Sequence, residues 1–279
     1  MVRILVSIVV ALVATVLGYA ALWHGGAILL KDAARYVPVA LDVSALVFVI
    51  GGIALLSVAM LTVGLSSIGV IVVGAIHVVT MLLAVLIPAV PIVELSEQVF
   101  GRNSALGDGL IFSIATGTGM LAGAIFLVGG LAAVTRRSQK PGGVARTASV
   151  IVALGAGPMG VLLAFMGGGV VYADLLAGDR TEFDGMGGLL LTVGAALLGL
   201  ALLTLRWSSL GTTVLGLAFV AAGVIGMTEP GRLASIAKLV SPELTTAVEF
   251  SGPNGTLALL GVLLIAAAIG ELLRSRRLR

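Results

Sequence analysis

The chain contains no cysteine. Disulfides, thiolate metal sites and cysteine nucleophiles are therefore excluded, while nothing follows about redox compartment. Charge is also scarce: 10% of the 279 residues are Asp, Glu, Lys or Arg, where a soluble domain carries about 25%. Histidine occurs only at His24 and His77, and two widely separated imidazoles without a matched third ligand make a poor metal site. No Ser/His/Asp set and no pair of carboxylates inside an apolar run is found. The glycine-rich runs "LGAGPMG" and "MGGGV" lack the strand context and the following Lys-Ser/Thr of a phosphate loop. The expectation is a protein that is not an enzyme and holds no cofactor or metal.

What the chain does have is apolar length. It is 59% hydrophobic, with mean hydropathy +1.21. No soluble fold covers so much apolar surface, so the sequence reads as an all-α integral membrane protein embedded in a lipid bilayer. About 20 apolar residues cross a bilayer. Eight such runs occur, over Ile4–Trp23, Val43–Leu65, Ile68–Val90, Leu110–Val134, Ala148–Val170, Met186–Leu205, Leu210–Met227 and Thr256–Leu273. Arg3 before the first run suggests a signal peptide, but the run is long, lacks a convincing cleavage site and has a retained counterpart later in the chain. It is expected to be a true span. The short links at Ser66-Ser67 and Ser208-Ser209 predict tight hairpins between runs two and three and between six and seven.

Basic residues orient the spans. Arg3, Arg136, Arg137, Lys140, Arg146, Arg206, Arg274, Arg276, Arg277 and Arg279 fall on one side, with Glu271 the single acid there. The opposite loops hold Lys31, Arg35, Arg102, Arg180, Arg232 and Lys238 among the other twelve acids. An excess of Lys and Arg in short loops marks the cytoplasmic side. Both termini are expected there, in a plasma-membrane, multi-pass protein whose basic tail anchors topology and lipid headgroups rather than nucleic acid.

The chain also repeats itself. At a shift of 142 residues, Ser7 meets Ser149, Gly18 meets Gly160, Gly25-Gly26 meets Gly167-Gly168 and Asp32 meets Asp174; Asp42 meets Asp184, and Ser66-Ser67 meets Ser208-Ser209. The fourth runs align at 138, with Gly117-Thr118 on Gly255-Thr256, and between them "ELSEQVF" from Glu94 resembles "ELTTAVEF" from Glu243. The expected organisation is a four-helix repeat over 1–138, a basic linker over 139–147 and a second four-helix repeat over 148–279. An even number of spans returns each copy to its starting side, so the repeats are parallel, with a pseudo-two-fold axis along the membrane normal. In outline each unit resembles tetraspan proteins of the claudin type, although their paired loop cysteines are absent.

Few residues stand out as functional. His77 is ionisable inside a span, where such groups mark function by default. The plainer reading is a neutral ring donating to a backbone carbonyl or to Thr80. Asp42 and Asp184 read as helix N-caps. Asp32 and Asp174, matched across the copies, are candidates for equivalent outer sites that bind a cation or a partner's basic group. Gly119, Gly123, Gly167 and Gly168 read as close-packing positions, and Pro158 as a kink whose counterpart is Val16. Ile92, Val93, Leu95, Val99 and Phe100 give an outer loop an apolar stripe. The expected function is an accessory or scaffold subunit that binds other membrane subunits, or a second copy, through glycine-rich faces and outer loops. The alternative is a transporter or channel for a small or lipid-like solute, with its path between the repeats.

Overall fold

The computed structural model describes residues 2–34, 42–86, 89–135, 142–177, 185–239 and 242–277. All regular structure among them is helical: α1 (Val2–Ala34), α2 (Val43–Leu61), α3 (Ser67–Leu86), α4 (Ala89–Phe100), α5 (Ala105–Ala115), α6 (Thr118–Thr135), α7 (Gly143–Ala177), α8 (Gly185–Leu203), α9 (Leu210–Thr228), α10 (Pro230–Lys238), α11 (Pro242–Ser251) and α12 (Thr256–Arg277). Helices satisfy their own backbone hydrogen bonds, which lipid cannot do for them. Eight of them, α1, α2, α3, α6, α7, α8, α9 and α12, are long and apolar enough to cross a membrane. The chain is thus a multi-pass, all-helical membrane protein.

Two features depart from the expected spans. α1 and α7 run for 33 and 35 residues, about 50 Å at 1.5 Å per residue, and so outreach a hydrocarbon core about 30 Å thick. The fourth run, expected to be one helix over Leu110–Val134, is broken into α5 and α6 at Thr116-Gly117. Gly117 has φ +68° there, and Gly255, between α11 and α12, has φ +78°. A Cβ penalises that backbone conformation and glycine has none. Apolar composition carries no trace of it. The similar stretches from Glu94 and Glu243 fall in short helices, Glu94 in α4 and Glu243 in α11. It is α5 that leads through Gly117 into α6 as α11 leads through Gly255 into α12.

Lipid tails are as apolar as leucine, so the helices gain from close contact and hydrogen bonds rather than from expelling water. Glycines supply the contact. A side chain at Gly18 would meet Gly52 O and one at Gly160 would meet Gly194 O, which fixes α1 on α2 and α7 on α8. Gly69 lies on Ser7, and Gly211 on Ser149. The Ser7 hydroxyl donates to Ser66 O at 2.8 Å, and the Ser149 hydroxyl to Ser208 O at 3.2 Å. Both hairpins reverse through a 3-10 turn, at Thr62–Gly64 and Thr204–Arg206, where the threonine hydroxyl donates to Ala59 O (2.7 Å) and to Ala201 O (2.6 Å). In the centre α6 and α12 bury Leu121, Ile125 and Phe126 with Leu259, Leu260 and Leu263. α2 packs on α12, and α8 on α6.

The shorter helices gather at the end opposite the serine turns. α5 lies on α1, its Gly109 backbone against Trp23. Lys31 of α1 and Asp108 of α5 form an ion pair across the same contact. In α4, Ser96 is buried and Ile92 and Val93 are half-buried, but Leu95 and Val99 face outward.

Candidate functional site

One group of buried polar side chains, Ser113, Thr116, Thr118, Asn254 and Thr256, gathers at that same end. The Gly117 and Gly255 breaks bring the first residues of α6 and α12 together, and a chain of hydroxyls joins them. Thr116 Oγ1 lies 2.7 Å from Thr118 Oγ1, which lies 2.7 Å from Thr256 Oγ1. Thr256 N–H (3.0 Å) and its hydroxyl (2.6 Å) both reach Asn254 Oδ1. Asn254 Oδ1 only accepts and each hydroxyl has one proton. Thr256 therefore donates to Asn254, and Thr118 donates to Thr256.

A small pocket opens beside this chain. Trp23 and Gly26 of α1, Ser113 of α5, and Thr118, Asn254 and Thr256 help to line it, and it has room for about one water molecule. Two of the residues that line it carry buried polar atoms without a hydrogen-bond partner among the described residues, Trp23 Nε1 and Ser113 Oγ. A buried donor or acceptor left unpaired costs about 1–3 kcal/mol. None of these six residues stands out from the sequence as a candidate functional residue. The available signals were the matched Gly25-Gly26 and the matched Gly-Thr pair at 117–118 and 255–256, which mark a repeated position and the helix breaks but not the cavity.

Next to the pocket, Tyr19 tilts against Trp23 with ring centroids 5.6 Å apart and stacks on His77 at 4.8 Å and 19°. His77 Nδ1 lies 3.0 Å from Val73 O. A carbonyl only accepts, so Nδ1 carries the proton and donates. The ring thus uses a backbone carbonyl one turn back, and not Thr80. The Tyr19 hydroxyl is buried without a partner among the described residues. His24 packs edge-on against Phe48 of α2 at 4.8 Å, inside the α1–α2 contact.

The remaining candidates do not meet at this pocket. Asp32 is half-buried in the last turn of α1. Asp174 lies in α7, with its side chain outside the described residues, as is all of Asp184. Asp42 caps α2, accepting from Ser44 Oγ (2.6 Å), Ser44 N–H (2.8 Å) and Ala45 N–H (3.1 Å). The Ser44 hydroxyl and then the Ala45 amide hold its carboxyl below the usual carboxylate range. Gly119 packs on Met81 and Gly123 on His77 and Val78, so both seat α6 on α3. Gly167 packs on Gly187 O and Leu191 of α8, and Gly168 on Ala115 O and Thr116. Pro158 lies within α7, which continues as one helix on both sides of it. At the serine-turn end α12 buries Glu271, one residue after Gly270, whose backbone lies over Val63. The sequence had placed that acid merely among basic neighbours. Among the described residues no group of three His, Cys, Asp or Glu is placed to hold a metal.

Comparison with protein-family models, with curated proteins and with solved structures finds no match for this chain.

Proposed function

We propose that this chain is a non-enzymatic polytopic membrane subunit that docks other membrane components at its outer end. The observation that carries this is the position of the apolar side chains that the bundle does not use. The centre is closed by leucine, phenylalanine and alanine packing. α4 meanwhile presents Leu95 and Val99 at 61% and 62% exposure, and α10 with its C-cap presents Ile236 and Leu239 at 55% and 87%. Gly119, Gly123, Gly167 and Gly168 face neighbours within the chain, so the docking surface is assigned to the short helices and not to glycine faces.

In this reading the bundle is two parallel four-span units about a pseudo-two-fold axis along the membrane normal. Reciprocal contacts support it. Gly117 meets Leu191 and Gly255 meets Val49, and Val49 and Leu191 stand 142 positions apart in the sequence. Thr118 bonds directly to its counterpart Thr256, as equivalent residues beside a two-fold axis do. Both termini and the serine turns face the cytoplasm, the pocket and short helices face outward, and the membrane is the plasma membrane. The basic residues Arg3, Arg146, Arg206 and Arg274 are the basis for that orientation.

A second reading, a path for a small or lipid-like solute between the units, draws on the pocket, which both halves line. Extraction from native membranes in mild detergent separates the two. A stoichiometric partner that is lost when Leu95 and Leu239 are both changed to Glu supports the subunit. A protein that purifies alone and moves solute across liposome bilayers overturns it.

A further inference from the structure

We infer that the pocket beside Trp23 is a binding site for a single internal water, which accepts from the Trp23 indole N–H and bonds the Ser113 hydroxyl. Three independent features converge on it. The space is that of one water. Ser113 is only 4% exposed, and its Oγ and Trp23 Nε1 have no partner among the described residues. Thr118 and Thr256, which each carry a hydroxyl, belong to the same lining, and a buried water needs two to four polar partners to repay its confinement. A larger or charged ligand does not suit the site: it is too small, and the side chains that line it carry no formal charge.

The chemistry of the water follows from the donors. An indole N–H only donates, so the water must accept from Trp23. It then has two protons to give, and the serine and threonine oxygens are acceptors in reach of the cavity. Held this way, the water joins α1 and α5 to the start of α12, where the two halves of the chain meet. The site is not duplicated. The residue 142 positions after Trp23 is Phe165, which has no N–H to give. The junction is therefore wet on one side only, and the two halves are inequivalent there.

The protein has two tryptophans, Trp23 and Trp207. Trp207 is exposed, so Trp207→Phe leaves a single indole without disturbing the core. In that protein, labelled with 15N-indole and held in micelles, the Trp23 N–H is expected to give a rotating-frame cross-relaxation peak to water, distinct in sign from exchange. Ser113→Val fills the cavity and is expected to abolish the peak. Ser113→Ala, which keeps the space and removes one partner, is expected to weaken the peak and shift the N–H resonance. A Trp207→Phe protein with no such peak overturns the inference. So does a peak unchanged in both Ser113 variants.

Discussion

At the scale of single residues, polar side chains in this protein are informative because they are so few. Asp42 does a local job that its position announced, since an aspartate just before an apolar run is suited to cap a helix. Its contribution should depend on pH in a definite direction. The folded carboxyl titrates below the unfolded value, which is about 3.9. The capping contribution is then fully present above the unfolded value and is lost as pH falls through the folded one. Asp42→Ala is expected to melt below the wild type at neutral pH, with the gap narrowing and then closing as acidification takes the carboxyl through its folded-state titration. A gap of equal size before and after that titration would show that the ionised carboxylate is not what caps α2. His77 was visible as an ionisable residue in a span. Its stacking on Tyr19 was not, because the two residues lie on different helices and the register of α1 against α3 is a packing outcome.

At the scale of elements, glycine spacing decides which helices touch. Gly211 lies so close to the Ser149 backbone that any Cβ there displaces one helix from the other. Gly211→Ala is expected to cost about 1–3 kcal/mol, the usual penalty for overfilling a packed contact. Gly155 lies on the surface of α7, and a methyl group added there would meet nothing within 4 Å. Gly155→Ala is expected to be neutral or stabilising by up to about 1 kcal/mol, through helix propensity alone. Unfolding both variants by titration with a denaturing detergent checks the contrast. If they lose equal stability, contact distance is not what sets the cost. Hydropathy marked the existence of the spans well, because a bilayer demands long apolar runs. It misjudged the fourth span, where the chain turns on a positive φ that an apolar count does not register.

At the scale of the whole molecule, the proposed orientation rests on charge and is open to a direct check. The absence of native cysteine makes Lys140→Cys a clean probe. An impermeant maleimide is expected to label it only after the membrane is permeabilised. Labelling from outside intact cells would reverse the topology and, with it, the assignment of the pocket to the outer face.

The sequence by itself determined that this protein lives in a membrane, has eight helices fit to cross it and reverses twice at serine turns. These follow from composition and local spacing, which each segment carries without reference to the rest. Only the tertiary structure decided that the fourth run breaks, that Thr118 meets Thr256, and that Trp23 and Ser113 face one small cavity. Those features join residues up to 138 positions apart, and their contacts depend on how glycine-lined helices settle against one another. No single stretch of the chain contains that information.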